Sequence, residues 1–327
     1  MRQLTILAAF ALLCGCSDGG GSDFPAPGGS ADDAGFAQSD AAVTFPDGGG
    51  PTTGTSKPTL IYAHSDGELF SMDPATQKIT DIGPFDAGNG TSPTITDLAI
   101  NVDGEIWVNS EFAIYKAKLP TGTGPVQLTK VTNIAVKTGQ RFYALAFTPA
   151  GVLGATEKLV AGDNAGELYA IESNGTTTDL GAFGTDAKAN TYQLSGDLVF
   201  YLQNGKARGL ATVRLCDPNV PCGSTFNDML VEVDVTAMSA AFASKTPGNL
   251  KKQFLGSGSG YGRLYGIGAW NHSVYAFERM GSTTPAQLII IGPDGKGTPI
   301  KTFPGLTAGW SGAGVTTAAT VTILPPN

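Results

Sequence analysis

Arg141-Phe142-Tyr143-Ala144-Leu145-Ala146-Phe147 is answered further along the chain by Arg263-Leu264-Tyr265-Gly266-Ile267-Gly268-Ala269. Three fainter copies fit the same template at residues 94–100, 190–196 and 306–312. Across the five, the fifth position is large and apolar: Leu98, Leu145, Leu194, Ile267, Trp310. The sixth is small: Ala99, Ala146, Ser195, Gly268, Ser311. Alternation of large and small has a period of two, which belongs to strands and not to helices. A strand that returns every roughly 40 to 70 residues, with other strands between, indicates a radial or stacked repeat.

A second motif follows most of these inner strands: Leu69-Phe70-Ser71-Met72-Asp73, Ile114-Tyr115-Lys116-Ala117-Lys118, Leu168-Tyr169-Ala170-Ile171-Glu172, Leu230-Val231-Glu232-Val233-Asp234 and Leu288-Ile289-Ile290-Ile291-Gly292. Most copies run into turn residues such as Asp73-Pro74 or Ser173-Asn174-Gly175, and a last edge strand usually comes next. With the strand at Glu105-Ile106-Trp107-Val108-Asn109 as guide, the unit is four strands joined by short turns, the blade of a β-propeller. The first strand motif, from Leu60, has no inner strand before it, and the last inner strand, from Leu306, lacks a full set of partners. Joined, residues 306–316 and 60–82 complete one blade and close the ring. The expectation is an all-β propeller of five blades; the segment between Leu194 and Ile267 is long enough to hide a sixth. The 45 Gly and 20 Pro punctuate many short strands. The net charge of -8 argues against nucleic acid and against electrostatic binding to anionic lipid.

The N-terminus carries Arg2 and then an apolar run from Leu4 to Leu13, too short to span a bilayer and laid out as a signal peptide. It ends Leu13-Cys14-Gly15-Cys16, which resembles the bacterial lipobox. The resemblance implies cleavage after residue 15, acylation of Cys16 and an exported protein held in the cell envelope by its lipid alone. Residues 16–56 are rich in Gly, Ser, Asp and Pro and have no Lys or Arg before Lys57. Such a composition cannot bury enough apolar surface to offset its ordering entropy, so a disordered tether is expected, with a reach of roughly 35 Å. The propeller then occupies residues 57–327. Over that span, units such as Leu98-Ala99-Ile100-Asn101-Val102-Asp103-Gly104-Glu105-Ile106-Trp107-Val108 resemble blade repeats of the NHL, gluconolactonase-like and quinoprotein-like propellers. The resemblance implies the fold and no particular activity.

Chemistry-bearing residues are few. With Cys14 removed and Cys16 acylated, Cys216 and Cys222 are the remaining thiols, and export favours a disulfide between them. His64 and His272 have no metal-ligand spacing to this pair and are expected as ordinary strand residues. Gly256-Ser257-Gly258-Ser259-Gly260-Tyr261-Gly262 precedes a strand and no helix, so it reads as a blade connector and not a phosphate loop. Asp97, Asp103, Glu105 and Asp163 could supply oxygens to a metal. Of the fourth template positions (Asp97, Ala144, Gln193, Gly266, Gly309) only Asp97 is acidic, too few for Ca²⁺, and Asp103 reads as a turn residue. Neither a metal, a cofactor nor a catalytic residue is therefore expected. The candidate ligand site is the start of the inner strands, where Arg141 and Arg263 precede Tyr143, Tyr192 and Tyr265, with Asp97 nearby. Arg with Tyr suits a carboxylate or a sugar. The functional expectation is a non-catalytic binding module for a sugar, a small anion or a protein. The alternatives are a lactonase-like or quinone-dependent dehydrogenase-like enzyme, and a structural envelope component.

Mass spectrometry of the mature N-terminus should find an acylated Cys16; an unmodified Cys16, or cleavage elsewhere, would contradict the lipobox reading.

Overall fold

The computed structural model describes residues 60–88, 90–217, 219, 222, 227–280, 284–306, 309–319 and 321–323. The expected signal segment, the acylated Cys16 and the tether lie outside the described residues.

Strands follow one another in antiparallel hairpins, as the short turns between them require. The chain opens with β1 (Ile61–His64), β2 (Glu68–Asp73) and β3 (Lys78–Asp86). The next blade is β4 (Asp97–Ile100), β5 (Ile106–Asn109), β6 (Ala113–Lys118) and β7 (Val126–Asn133). Then come β8 (Phe142–Thr148), β9 (Lys158–Asp163), β10 (Glu167–Ile171) and β11 (Thr177–Ala182). The fourth group holds β12 (Thr191–Gln203), β13 (Lys206–Cys216), β14 (Met229–Val233), the helix α1 (Val235–Ser244), β15 (Gly248–Asn249) and β16 (Lys251–Leu255). The last blade is β17 (Leu264–Trp270), β18 (Ser273–Glu278), β19 (Ala286–Ile291) and β20 (Gly297–Phe303), followed by β21 (Gly312–Gly314). Strand β21 pairs with β1, Tyr62 opposite Gly314 and His64 opposite Gly312, so the C-terminal strand supplies the inner strand of the first blade. The chain is thus an all-β propeller, closed as the sequence implies, with five blades among the described residues.

Neighbouring blades are also stitched at their outer edges. Strand β3 pairs in parallel with β7 through Phe85 and Val126, and β11 pairs in parallel with β15 through Gly181 and Gly248. Between the blades lie apolar layers. Leu69, Phe85, Leu98 and Val108 pack between the first and second blades, and Ile114, Leu145 and Tyr169 between the second and third. Val160, Leu198, Val231 and Met238 fill the next layer. The layer that joins the last blade to the first is built on Trp310, whose ring meets Phe70, Phe277 and Phe303 edge-on at centroid distances of 5.3, 5.2 and 5.4 Å. Aromatic pairs favour this edge-to-face geometry, and here it locks the seam of the ring.

The extra length between Leu194 and Ile267 goes into a long β12–β13 hairpin, a disulfide loop and α1. No further set of four strands occurs among its described residues. Asp234, expected as the end of a strand motif, caps α1: its Oδ1 accepts the amides of Thr236 and Ala237. An Asp at this position satisfies helix donors that would otherwise be orphaned. Lys245, in the left-handed region at φ 58°, ends the helix.

Two of the five template copies shift. In the fourth blade, β12 runs on beyond the hub, and its pairing with β13 slips between Leu194 and Leu198. The hub residue is Leu198 and not Leu194. In the first blade, Ala313 and not Trp310 takes the hub position, while Trp310 is the packing residue described above. A bulge leaves the alternation of large and small intact on either side, so the sequence pattern alone misses the slip.

Candidate functional site at the channel mouth

Inner strands crowd toward the propeller axis, where each has one edge without a strand partner. A buried amide there needs an acceptor. Two carboxyls provide it. Asp97 accepts the amide of Leu98 on Oδ1 (2.8 Å) and that of Leu145 on Oδ2 (2.6 Å). Asp197 accepts Leu198 on Oδ1 (2.5 Å) and Ile267 on Oδ2 (2.8 Å), and also takes the amide of Ala313. Five inner strands are thus tied by two side chains, which hydrogen-bond to one another.

These bonds set the true alignment of the repeat: Asp97-Leu98, Ala144-Leu145, Asp197-Leu198, Gly266-Ile267 and Gly312-Ala313. Asp197 stands where the sequence template had Gln193, so the hub holds two acids and not one. Both are fully buried. Desolvation pushes both carboxyls above the usual aspartate range, and the neighbouring Asp197 raises Asp97 further. Two touching buried carboxyls cannot both ionise, so the pair retains at least one proton at neutral pH. His64 lies alongside, with Nδ1 against the Ser65 carbonyl at 2.6 Å, and burial lowers it to about 4, so it stays neutral. A Cβ at Gly312 would collide with Asp97 Oδ1 and His64 Nε2, which is why the closing strand reads Gly-Ala-Gly.

One residue before each of these pairs, the inner strands border a pocket of about 540 Å³. Thr96, Tyr143, Gly196, Tyr265 and Ser311, one from each blade, line it. Above this ring, Asp66 binds Arg279 by two parallel hydrogen bonds of 2.6 and 2.8 Å, and Ser311 joins the same carboxyl. The Arg279 guanidinium holds Asp66 below the usual carboxylate range. Arg214 donates from Nη2 to the Ser195 carbonyl at 2.8 Å and lies 3.8 Å from the buried Asp228.

The sequence-derived candidates distribute as follows. Tyr143 and Tyr265 line the pocket. Tyr192 lies outside the lining and packs on Phe254, with Lys251 Nζ 4.3 Å from its ring centre. Asp97 is beneath the floor, wholly engaged with the hub. Arg141 is exposed and pairs with Glu111 at 3.3 Å, and Tyr143 donates to the same carboxylate. Arg263 sits in the left-handed region at φ 55°, and its charge faces Glu278, which burial raises to about 7. The arginines in the pocket wall are Arg214 on β13 and Arg279 just after β18; neither lies on an inner strand, so the repeat gave no signal for them. Asp163 accepts from Gln140 and from the amides of Ala165 and Glu167, a turn-capping role, and Glu105 pairs with Lys116. His272 bonds the Thr322 carbonyl. The Cys216–Cys222 disulfide is present, with Cα atoms 4.9 Å apart, and Cys222 borders the pocket. Among the described residues no group of three or more His, Cys, Asp or Glu is arranged to hold a metal ion.

Fold and site together define a β-propeller, with five blades among the described residues and a pocket at one end of its axis. No family model matches the chain, and no curated protein matches it. Solved structures similar to it include a protein of unknown function from Bacteroides caccae, at 12% identity over 79% of this chain and 99% of that one, with a TM-score of 0.42. A nidogen/laminin complex matches at 12% identity over 79% and 98%, with a TM-score of 0.43. The Dos1 propeller matches at 14% identity over 75% and 55%, with a TM-score of 0.33.

The hub makes a testable statement about pH. The folded pair keeps a proton that unfolded aspartates, with pKa about 3.9, release. The hub's contribution to stability is therefore complete below about pH 4 and is lost as pH rises through the raised values. Asp97→Asn removes this titration but replaces an accepting oxygen with a donor, leaving one strand amide unsatisfied at a cost of about 1–3 kcal/mol. In urea unfolding the variant should be less stable than the wild type at pH 6, and the gap should narrow toward pH 9. A gap independent of pH would show that no proton is shared.

Proposed function

We propose that this chain is an envelope-anchored lipoprotein whose propeller is a binding module, holding its ligand at the channel mouth without transforming it. The observation that carries the reading is the pocket itself. Its volume falls within the about 300–1,000 Å³ of small-molecule sites, and side chains from all five blades converge on it. The hub carboxyls, whose burial raises them above the usual aspartate range, favour binding over catalysis. They lie one residue below the pocket lining, and their oxygens accept strand amides, so they serve the fold and present no free base to a ligand. Export is supported by the lipobox resemblance at Cys16 and by the disulfide, a bond that persists in oxidising compartments.

The test is capture and release. Immobilised full-length protein is exposed to polar small molecules from a bacterial culture, washed, and unfolded, and the released compounds are identified by mass spectrometry. Retained compounds should come off chemically unchanged, and should be lost from a Tyr143→Ala, Tyr265→Ala variant that still folds. Conversion of a bound compound, such as opening of a lactone, would return the enzyme reading. Equal retention by the variant would move binding away from the mouth.

A further inference from the structure

The chemistry of the pocket wall discriminates between the two ligand classes that Arg and Tyr suggest. An anion needs a positive group with bonding capacity to spare. Each arginine near the mouth is already met by a carboxylate of the chain: Arg279 by Asp66, Arg141 by Glu111, Arg214 by Asp228. The lining contains Asp66, Glu111 and Asp163 against Arg214 and Arg279, so an incoming anion meets more negative than positive charge. Among the described residues, several polar groups of the lining that carry no positive charge make no hydrogen bond to the chain. They include the hydroxyls of Thr94 and Tyr265, the amide of Gln193 and the second oxygen of Glu111. Three are neutral and able both to donate and to accept, and the fourth accepts only. Two tyrosine rings, at equivalent positions of the third and fifth blades, add apolar faces in the same wall.

We infer that the ligand is a short neutral carbohydrate, its hydroxyls bonded by Thr94, Gln193, Tyr265 and Glu111 and its ring faces resting on Tyr143 and Tyr265. A sugar fits each part of this wall. Its hydroxyls donate and accept in turn, as the free groups do. Its C–H faces cover aromatic rings, which offer a large rigid contact area with few rotatable bonds. It brings no charge, so the ion pairs that order the mouth need not be broken. The exposed Tyr143, held by its hydroxyl bond to Glu111, is already oriented without a ligand. The volume admits more than one sugar ring.

This inference rests on the binding reading proposed above, and one experiment separates their failures. Full-length protein is titrated calorimetrically with neutral trisaccharides (maltotriose, cellotriose, xylotriose, mannotriose and chitotriose), with trigalacturonate, and with inorganic phosphate. At least one neutral trisaccharide should bind, with an affinity that changes little between low and high salt. Tyr265→Ala should weaken it at least about tenfold, and Tyr265→Phe, which keeps the ring and loses the hydroxyl, by less. Gln193→Ala, a surface-accessible change with little risk to folding, should weaken it several-fold, with thermal unfolding checking each variant. Binding of trigalacturonate or phosphate alone, lost in the same variants, would overturn the carbohydrate class and leave the mouth as a binding site. Neutral sugar binding undiminished in folded Tyr265→Ala and Gln193→Ala variants would overturn the assignment of these residues. Silence toward every probe would overturn the inference, and the capture experiment above then decides whether the mouth binds anything else.

Discussion

Five strand edges meet at the axis of this propeller, and two aspartates hold them. A sheet edge normally finds a partner strand or water; an inner edge at a closed hub has neither. Asp97 takes two of the five amides and Asp197 takes three. Burying two acids is costly, and keeping at least one proton is what makes it bearable: the pair never has to hold two charges, and its oxygens are met by amide donors. The positions equivalent to Asp97 and Asp197 on the other three inner strands are then forced to be small. Ala144, Gly266 and Gly312 have no side chain that could compete with the two carboxyls, and Gly312 has no room for even a Cβ. The floor of the pocket is the upper side of this same knot.

Much of the fold could be read from the alternation of residues. Arg141 to Phe147 and Arg263 to Ala269 locate two inner strands correctly, and the unmatched strand ends at Leu60 and Leu306 correctly imply ring closure. The failures share a physical cause. Period-two alternation reports which face a side chain takes, and does not report where along the strand the axis lies. The slip in β12 and the brevity of β21 therefore placed Leu194 and Trp310 at the hub in place of Leu198 and Ala313. A stronger signal was present: Asp97-Leu98 and Asp197-Leu198 are the same dipeptide, and hydrogen bonding from hub amides is what makes Asp useful there. Likewise Asp234, read as a strand end, had the chemistry of a helix cap.

The site was legible in position more than in composition. The start of the inner strands does open onto a pocket, and Tyr143 and Tyr265 do line it. The arginines of the template, however, are drawn outward to Glu111 and toward Glu278, while Arg279 reaches the pocket from the blade's second strand to meet Asp66 on the far side of the ring seam. That pair spans 213 residues of sequence, and no repeat pattern encodes a contact between different blade positions. It also ties the mouth to ring closure: Ser311, between Trp310 and the hub glycine, joins Asp66 and Arg279 in one network. Packing of the seam, order at the mouth and the hub knot are therefore consecutive residues of one short closing segment.

The central claim is that the hub is held by a carboxyl pair sharing a proton. It is tested most directly by carbon-13 NMR of aspartate-labelled protein, with side-chain carboxyl resonances followed across a pH titration and assigned by comparison with Asp97→Asn and Asp197→Asn variants. The account predicts that the two hub resonances titrate together, with at least one carboxyl still protonated at pH 7. Two hub carboxyls that both ionise in the ordinary aspartate range would contradict it.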